Sequence, residues 1–134
     1  MIIIIIKEGH MQKYSKQREA LVSLLQHTKS HPSADALYLE LKKEFPKISL
    51  ATVYRNLNSL LEQNEIIKID IGNGTEHYDA CVDPHYHFVC EHCSAIIDLD
   101  VPVRMELLEE VSKETDMVIH SHTVLFYGIC KNCQ

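Results

Sequence analysis

Two Cys-x-x-Cys pairs, Cys90 to Cys93 and Cys130 to Cys133, constrain this chain more than any other feature in it. Each pair places two sulfurs on one tight turn, and two such turns meeting over one ion make a closed tetrahedral zinc site. Zinc prefers thiolate sulfur and needs no further ligand once four are bound, so a site of this kind is structural. It ties the middle of the chain to its end and contributes to folding. The alternatives are two disulfides or two redox-active pairs. Cytosolic thiols stay reduced, and paired motifs of this kind usually hold zinc.

Just before the first pair stands His85-Tyr86-His87. On a strand, residues i and i+2 share a face, so two imidazoles stand side by side. Taken alone, such a pair reads equally well as surface or packing histidine. Further ligand-type residues surround it: Asp79, Asp98 five residues past Cys93, and His31 far upstream. Nitrogen and carboxylate ligands together suit iron or manganese better than a thiolate cage does. A site that also used His31 would bridge two domains, and metal would then fix the angle between them, which is a switch. Isolated Asp and His residues are common on surfaces, so the alternative here is solvated side chains.

The chain has 134 residues, enough for one domain of ordinary size or two small ones. Its net charge of -6 is unevenly spread. Residues 1–79 carry 10 Lys+Arg and 10 Asp+Glu, whereas residues 80–134 carry 3 and 9. That split predicts two modules with different partners. The pI near 5.8 argues mildly against nucleic-acid binding. No stretch is long enough to span a membrane, and Met1 to Ile6 lacks the flanks of a signal peptide. The isoleucine run reads as an extra edge strand, a sticky tail, or residues ahead of a true start at Met11. The expected compartment is the cytoplasm, in keeping with thiols used for metal.

Periodicity predicts three helices in the first module. The first covers 12–27, with Leu21, Leu24 and Leu25 on one stripe and Lys13, Lys16 and Arg18 near its start. The second covers 34–45, with Ser33 as N-cap and Pro46 as terminator. The third covers about 50–63 behind Ser49. It sets Leu50, Val53, Leu57, Leu60 and Leu61 on one side and Thr52, Arg55, Asn56 and Ser59 on the other, with Tyr54 at the edge. That polar face is poor in charge and rich in hydrogen-bonding groups, which suits a major groove, where Arg reads guanine and Asn reads adenine. Alternating Ile67, Ile69 and Ile71, then Gly72-Asn73-Gly74, then Thr75 to Asp79 predict a tight hairpin. Three helices followed by a two-stranded ribbon form a winged helix-turn-helix. Beyond it, strands are expected at 86–90, 95–99 and 117–128, with a helix at about 102–115 that begins with Pro102 near N1. Cys81 reads as a buried strand cysteine. The fold class is α+β: an N-terminal winged helix-turn-helix over residues 1–79 and a small C-terminal α/β module with structural zinc over residues 80–134, a module that the chain's family resemblance implies is a dimerisation domain.

Across residues 12–133 the chain resembles the Fur superfamily of metal-dependent bacterial repressors. The match is carried by His31-Pro32-Ser33-Ala34-Asp35, by Ser49 to Leu57 (SLATVYRNL), by His85 to Cys93 (HYHFVCEHC) and by Tyr127 to Cys133 (YGICKNC). Within the superfamily it is most similar to the peroxide-sensing branch. That branch has Asp at the position of Asp98, where iron-sensing members commonly have Glu. The resemblance implies structural Zn(2+) on Cys90, Cys93, Cys130 and Cys133, and regulatory Fe(2+) or Mn(2+) on His31, Asp79, His85, His87 and Asp98. It implies a homodimer, built through the C-terminal module, that binds a palindromic double-stranded DNA operator when the regulatory site is filled. Tyr54 and Arg55 match the family's groove-contacting pair, with Thr52 and Asn56 on the same face, and Lys13 and Arg18 match positions near the DNA backbone or minor groove. The implied sensing chemistry is oxidation of His31 or His85 by hydrogen peroxide at bound iron, after which the metal leaves and repression ends. Many family members have a further metal site, but Pro84, Tyr86 and Met105 stand where its ligands are expected, and His122 is left without obvious partners. An iron-responsive or other metal-responsive regulator of the same fold is the alternative. A metalloenzyme built on the His-x-His pair would need an open metal position and a general base, and no catalytic motif supplies one.

Overall fold

The computed structural model describes residues 16–134, which divide into two compact units, one running through Val82 and one from Asp83 to Gln134. The expectations for Met1 to Ile6 and for Lys13 lie outside the described residues.

In the first unit, helix α1 covers residues 16–26, α2 Ala34–Glu44 and α3 Leu50–Glu62. The two predicted N-caps are present: Ser33 accepts from the Ala36 N–H and Ser49 from the Thr52 N–H. Each satisfies one of the backbone donors that a helix start leaves open. Phe45 caps α2 rather than continuing it, because Pro46 follows and the residue before a proline is biased away from helix. The stripes predicted for the three helices meet. Leu21 and Leu25, Leu37 and Leu41, and Val53, Leu57 and Leu60 pack with Ala34, Ile48, Ile66 and Tyr78 into one core. Leu57 is wholly buried at its centre. Leu57→Ala is expected to cost about 2–5 kcal/mol, the range for deleting a buried leucine, seen as a lowered thermal midpoint for this unit.

Strands β1 (Ile67–Asp70) and β2 (Glu76–Asp79) pair antiparallel, with Ile67 opposite Asp79 and Asp70 opposite Glu76. The turn is looser than the tight one predicted from Gly-Asn-Gly, since five residues, 71–75, join the strands. Asp70 accepts from the Gly72 N–H and Asn73 from the Thr75 N–H, so the loop closes on side chains. Gly72 and Gly74 take the positive φ angles it requires. Tyr78 is buried beneath the wing with its hydroxyl on Glu76, and burial first, then that carboxylate, holds its pKa well above the usual phenol value. Cys81 corrects the buried-strand reading: it is exposed, because β2 has ended and its N–H turns back onto the Asp79 carboxylate.

The second unit is a three-stranded sheet in the order β4-β3-β5. Strand β3 is Tyr86–Cys90, β4 is Ile96–Leu99 and β5 is Leu125–Gly128. Helix α4 is Glu106–Thr115. Strand β4 runs antiparallel to β3, and β5 runs parallel to it. Gly128 lies opposite Cys90, and a Cβ there would come within 3.3 Å of the Phe88 ring, so the strands meet closely where the cysteines begin.

Two predicted elements are shorter than expected. Residues 117–124 are not strand; β5 begins at Leu125. The parallel ladder starts at the Leu125–His87 pair, and just ahead of it the Val124 carbonyl accepts from the His87 N–H at a long 3.5 Å. Helix α4 begins at Glu106, not near Pro102. The Arg104 N–H donates to the Tyr86 hydroxyl at 2.9 Å, and the Met105 N–H turns back onto the Val103 carbonyl at 3.1 Å, a tighter turn than a helix makes.

Candidate metal centre

The four cysteines are brought together by the ends of two strands. Cys90 closes β3, and the turn after it passes through Ser94 in a left-handed conformation before β4 begins. Cys130 follows β5, and a short 3₁₀ turn, Lys131–Cys133, carries Cys133 back. All four Sγ atoms lie within 4.8 Å of one another. None is in a disulfide, and the Cys93 and Cys130 sulfurs are 3.8 Å apart. Sulfurs each about 2.3 Å from one tetrahedral ion sit roughly 3.8 Å apart, whereas a disulfide needs about 2.05 Å. The arrangement is that of a four-cysteine zinc site.

The local electrostatics are already polarised. The Cys90 sulfur receives the Cys93 and Cys130 N–H groups at 3.4 Å each, and these hold its pKa down at about 6. Cys133 goes the other way, up to about 12, chiefly because its thiol is hydrogen-bonded to the Cys130 sulfur, with burial adding to that. The hydrogen bonds within the cluster thus favour the anionic form of the Cys90 sulfur and the protonated form of Cys133.

The nitrogen and oxygen ligands fall into two sets. In the second unit, His87 on β3 lies directly across from Asp98 on β4. His85 stands one position ahead of β3, its ring 4.3 Å from that of His87. Both Nε2 atoms lie 3.1 Å from the same oxygen, Asp98 Oδ1. His85 donates its Nδ1–H to the Asp83 carbonyl at 2.7 Å, which turns Nε2 toward the carboxylate. Metal-binding histidines are commonly oriented through their second nitrogen in this way. In the first unit, His31 Nε2 lies 3.2 Å from Asp79 Oδ2, with both side chains buried. Ligand atoms about 2.1 Å from one ion and at right angles to each other sit about 3.0 Å apart. Each set therefore has the spacing and the donor types for a hard or borderline divalent ion.

The DNA-directed residues are less uniform. On α3, Tyr54 and Arg55 are exposed, while Thr52 and Asn56 are half-buried. Arg55 donates to Thr52 Oγ1 at 3.0 Å, and that oxygen also pairs with Ser49. Arg18 braces α1 against α3, donating to Ser59 at 3.0 Å and to Gln63, with Glu65 at 3.9 Å. His122, without evident partners in the sequence, pairs its Nε2 with the Tyr86 hydroxyl at 2.7 Å. No periodic pattern links residues 86 and 122, so only the folded chain reveals that pair.

The ferric uptake regulator family model matches residues 10–127. The peroxide-responsive repressor PerR of Staphylococcus saprophyticus is 33% identical over 122 residues, which cover 91% of this chain and 82% of that protein. The PerR of Staphylococcus aureus strain USA300 matches at the same identity and coverage. Among solved structures, the Campylobacter jejuni peroxide stress regulator superposes with a TM-score of 0.81 at 36% identity, covering 99% of this chain and 100% of the other. The Helicobacter pylori ferric uptake regulator Fur, described as having three functional metal-binding sites, superposes at 0.74 with 26% identity, covering 99% and 93%. With a four-cysteine cluster and a His/Asp donor set on a winged-helix and sheet framework of this kind, the chain belongs to the ferric uptake regulator family of metal-responsive regulators.

Proposed function

We propose that the protein is a metal-dependent transcriptional repressor that senses hydrogen peroxide, and not an enzyme. The observation that carries this reading is the convergence of the His85 and His87 Nε2 atoms on one Asp98 oxygen. This is a site built on β3, the residue just ahead of it and β4, from two imidazoles and a carboxylate. Together with His31 and Asp79 it would form one regulatory centre for Fe(2+) or Mn(2+), while Zn(2+) would hold Cys90, Cys93, Cys130 and Cys133 throughout. The functional domains on this reading are residues 1–79 for DNA and 80–134 for dimerisation and zinc, in a cytoplasmic protein. Regulators of this family are dimeric and bind DNA. Here the dimer surface would be the apolar face that includes Val111, Val118, Phe126 and Ile129, all substantially exposed. The DNA surface would be the outer face of α3, through Thr52, Tyr54, Arg55 and Asn56, with Lys13 and Arg18 at its flank. The operator would be palindromic, matching the two-fold axis of a dimer.

Bound iron supplies the capacity to activate peroxide, and manganese fills the same donors without doing so. The chain's own part is to hold His31 and His85 at fixed ring orientation beside carboxylates. In the net reaction one peroxide oxygen is added to a ring carbon of His31 or His85 and the other leaves as water, so the histidine is oxidised by two electrons and peroxide is reduced by two. A histidine altered in this way is a poorer ligand, and the operator is released when the metal departs.

Asp98→Glu separates peroxide sensing from plain metal response. The longer carboxylate still offers an oxygen ligand but moves it relative to the imidazoles. Metal-dependent binding to an operator fragment, read by fluorescence anisotropy, is expected to persist, while release by low peroxide slows by about 10-fold or more, as happens when reacting groups are displaced by about 1 Å. If iron-loaded wild type holds its operator unchanged through low peroxide, the protein is an iron-responsive or other metal-responsive regulator instead.

A further inference from the structure

His31 is an unusual place to find a ligand. Its backbone φ is +53°, a left-handed conformation that side chains other than glycine rarely adopt. It also precedes Pro32, and the residue before a proline is driven toward extended backbone. Such strain persists only where the surroundings over-determine it.

Strand β2 provides that constraint. The Tyr78 N–H donates to the Pro32 carbonyl at 3.1 Å, and Ser33 forms an antiparallel bridge with His77. The His77 ring lies with Nδ1 2.9 Å from the His31 carbonyl. A carbonyl only accepts, so Nδ1 carries the proton. The other nitrogen, His77 Nε2, is buried with no hydrogen-bond partner among the described residues. Burying a polar atom without a partner is costly. The one polar contact this ring makes among the described residues is therefore with the backbone of His31. Two residues further along β2, Asp79 meets the His31 imidazole.

We infer that His77 is a positioning residue for the regulatory centre: its Nδ1–H holds the His31 carbonyl, fixing the left-handed backbone that presents the His31 ring to Asp79. This rests on the reading of His31 as a metal ligand. It adds a residue that touches no metal yet sets how tightly the first unit's ligands are held.

The test uses the full-length, zinc-loaded protein and three variants. His77→Phe keeps a ring and removes the donor. His77→Gln keeps polarity but carries its amide nitrogen where Nε2 was. His77→Asn places an amide N–H where Nδ1 was. Mn(II) affinity is measured by calorimetry, with zinc content and thermal midpoint as controls. Hydrogen exchange at the Tyr78 amide, which donates to the Pro32 carbonyl, is followed without Mn(II). His77→Phe and His77→Gln are expected to bind Mn(II) about 10- to 100-fold more weakly, as loss of an outer-shell partner does, and to exchange faster at that amide. His77→Asn is expected to recover most of both. Mn(II) affinity for His77→Phe within about twofold of wild type, or no recovery in His77→Asn at equal thermal midpoint, overturns the assignment. If His31→Ala leaves Mn(II) affinity unchanged, the ligand reading fails instead. Exchange at the Tyr78 amide then still decides His77: an unchanged rate in His77→Phe overturns its role on its own.

Discussion

Cys130→Ser is expected to cost the C-terminal unit its fold while sparing the DNA-binding unit. The buried residues of Asp83–Gln134 include only Tyr86, His87, Val89, Cys90 and Ile96, while Val101, Leu107, Val118, Phe126 and Ile129 remain substantially exposed. A unit below about 60 residues with so small a core is marginal on burial alone and relies on a metal, a disulfide or a partner. There is no disulfide among the described residues. Structural zinc supplies apparent binding energies of about 10–16 kcal/mol in zinc-finger peptides, and in such systems that energy is folding energy. The purified variant should hold no stoichiometric zinc. Amides of β3 and β5 should exchange freely, while those of α2 and α3, in the separate core around Leu57, keep their protection. Chelation of the wild type should do the same, and more readily at acidic pH. The proton that the Cys130 sulfur helps hold on Cys133 must leave for the ion to bind, so affinity falls as pH falls. Protected β3 and β5 amides in zinc-free protein would show that the sheet stands without the ion.

His87→Ala is expected to abolish the regulatory response and leave zinc content unchanged. His87 is buried, lies across from Asp98 in the ladder and shares that carboxylate with His85. Losing an outer-shell partner costs about 10- to 100-fold in metal affinity, and losing a ligand should reach or pass the upper end of that range. Calorimetry should show Mn(II) affinity reduced by about 100-fold or more, and operator binding should no longer rise with Mn(II). The β3–β4 pairing should persist, since its backbone hydrogen bonds do not involve the imidazole. Retained Mn(II) affinity would remove His87 from the site.

Much of this organisation is legible in the sequence because local patterns specify it. Ser33 and Ser49 announce their helices, the leucine stripes name the core face, and the cysteine pairs identify the zinc cluster. The failures share one cause, which is long-range context. Residues 117–124 have a strand-like composition, but only the register against β3 shows that the ladder begins at Leu125. Pro102 is a plausible helix start, yet the Arg104 N–H goes to the Tyr86 hydroxyl, 18 residues back, and the helix begins at Glu106. Cys81 looks like strand interior until Asp79 turns the chain. The His77 contact with the His31 carbonyl joins residues 46 positions apart, beyond the reach of any periodicity. Arg18, which the resemblance sets near the DNA backbone or minor groove, is also engaged with Ser59 and Gln63, a pairing that no periodicity shows.

The central claim is that peroxide is sensed by oxidation of a ligand histidine. Peptide mass spectrometry after low-dose peroxide, on protein loaded with Fe(II) or with Mn(II), tests it most directly, with operator binding followed in parallel. The expected result is a single added oxygen on the His31 or His85 peptide, with iron and not with manganese, accompanied by release of the operator. Unmodified histidines with the iron-loaded protein still on its operator would contradict it and leave a metal sensor without peroxide chemistry.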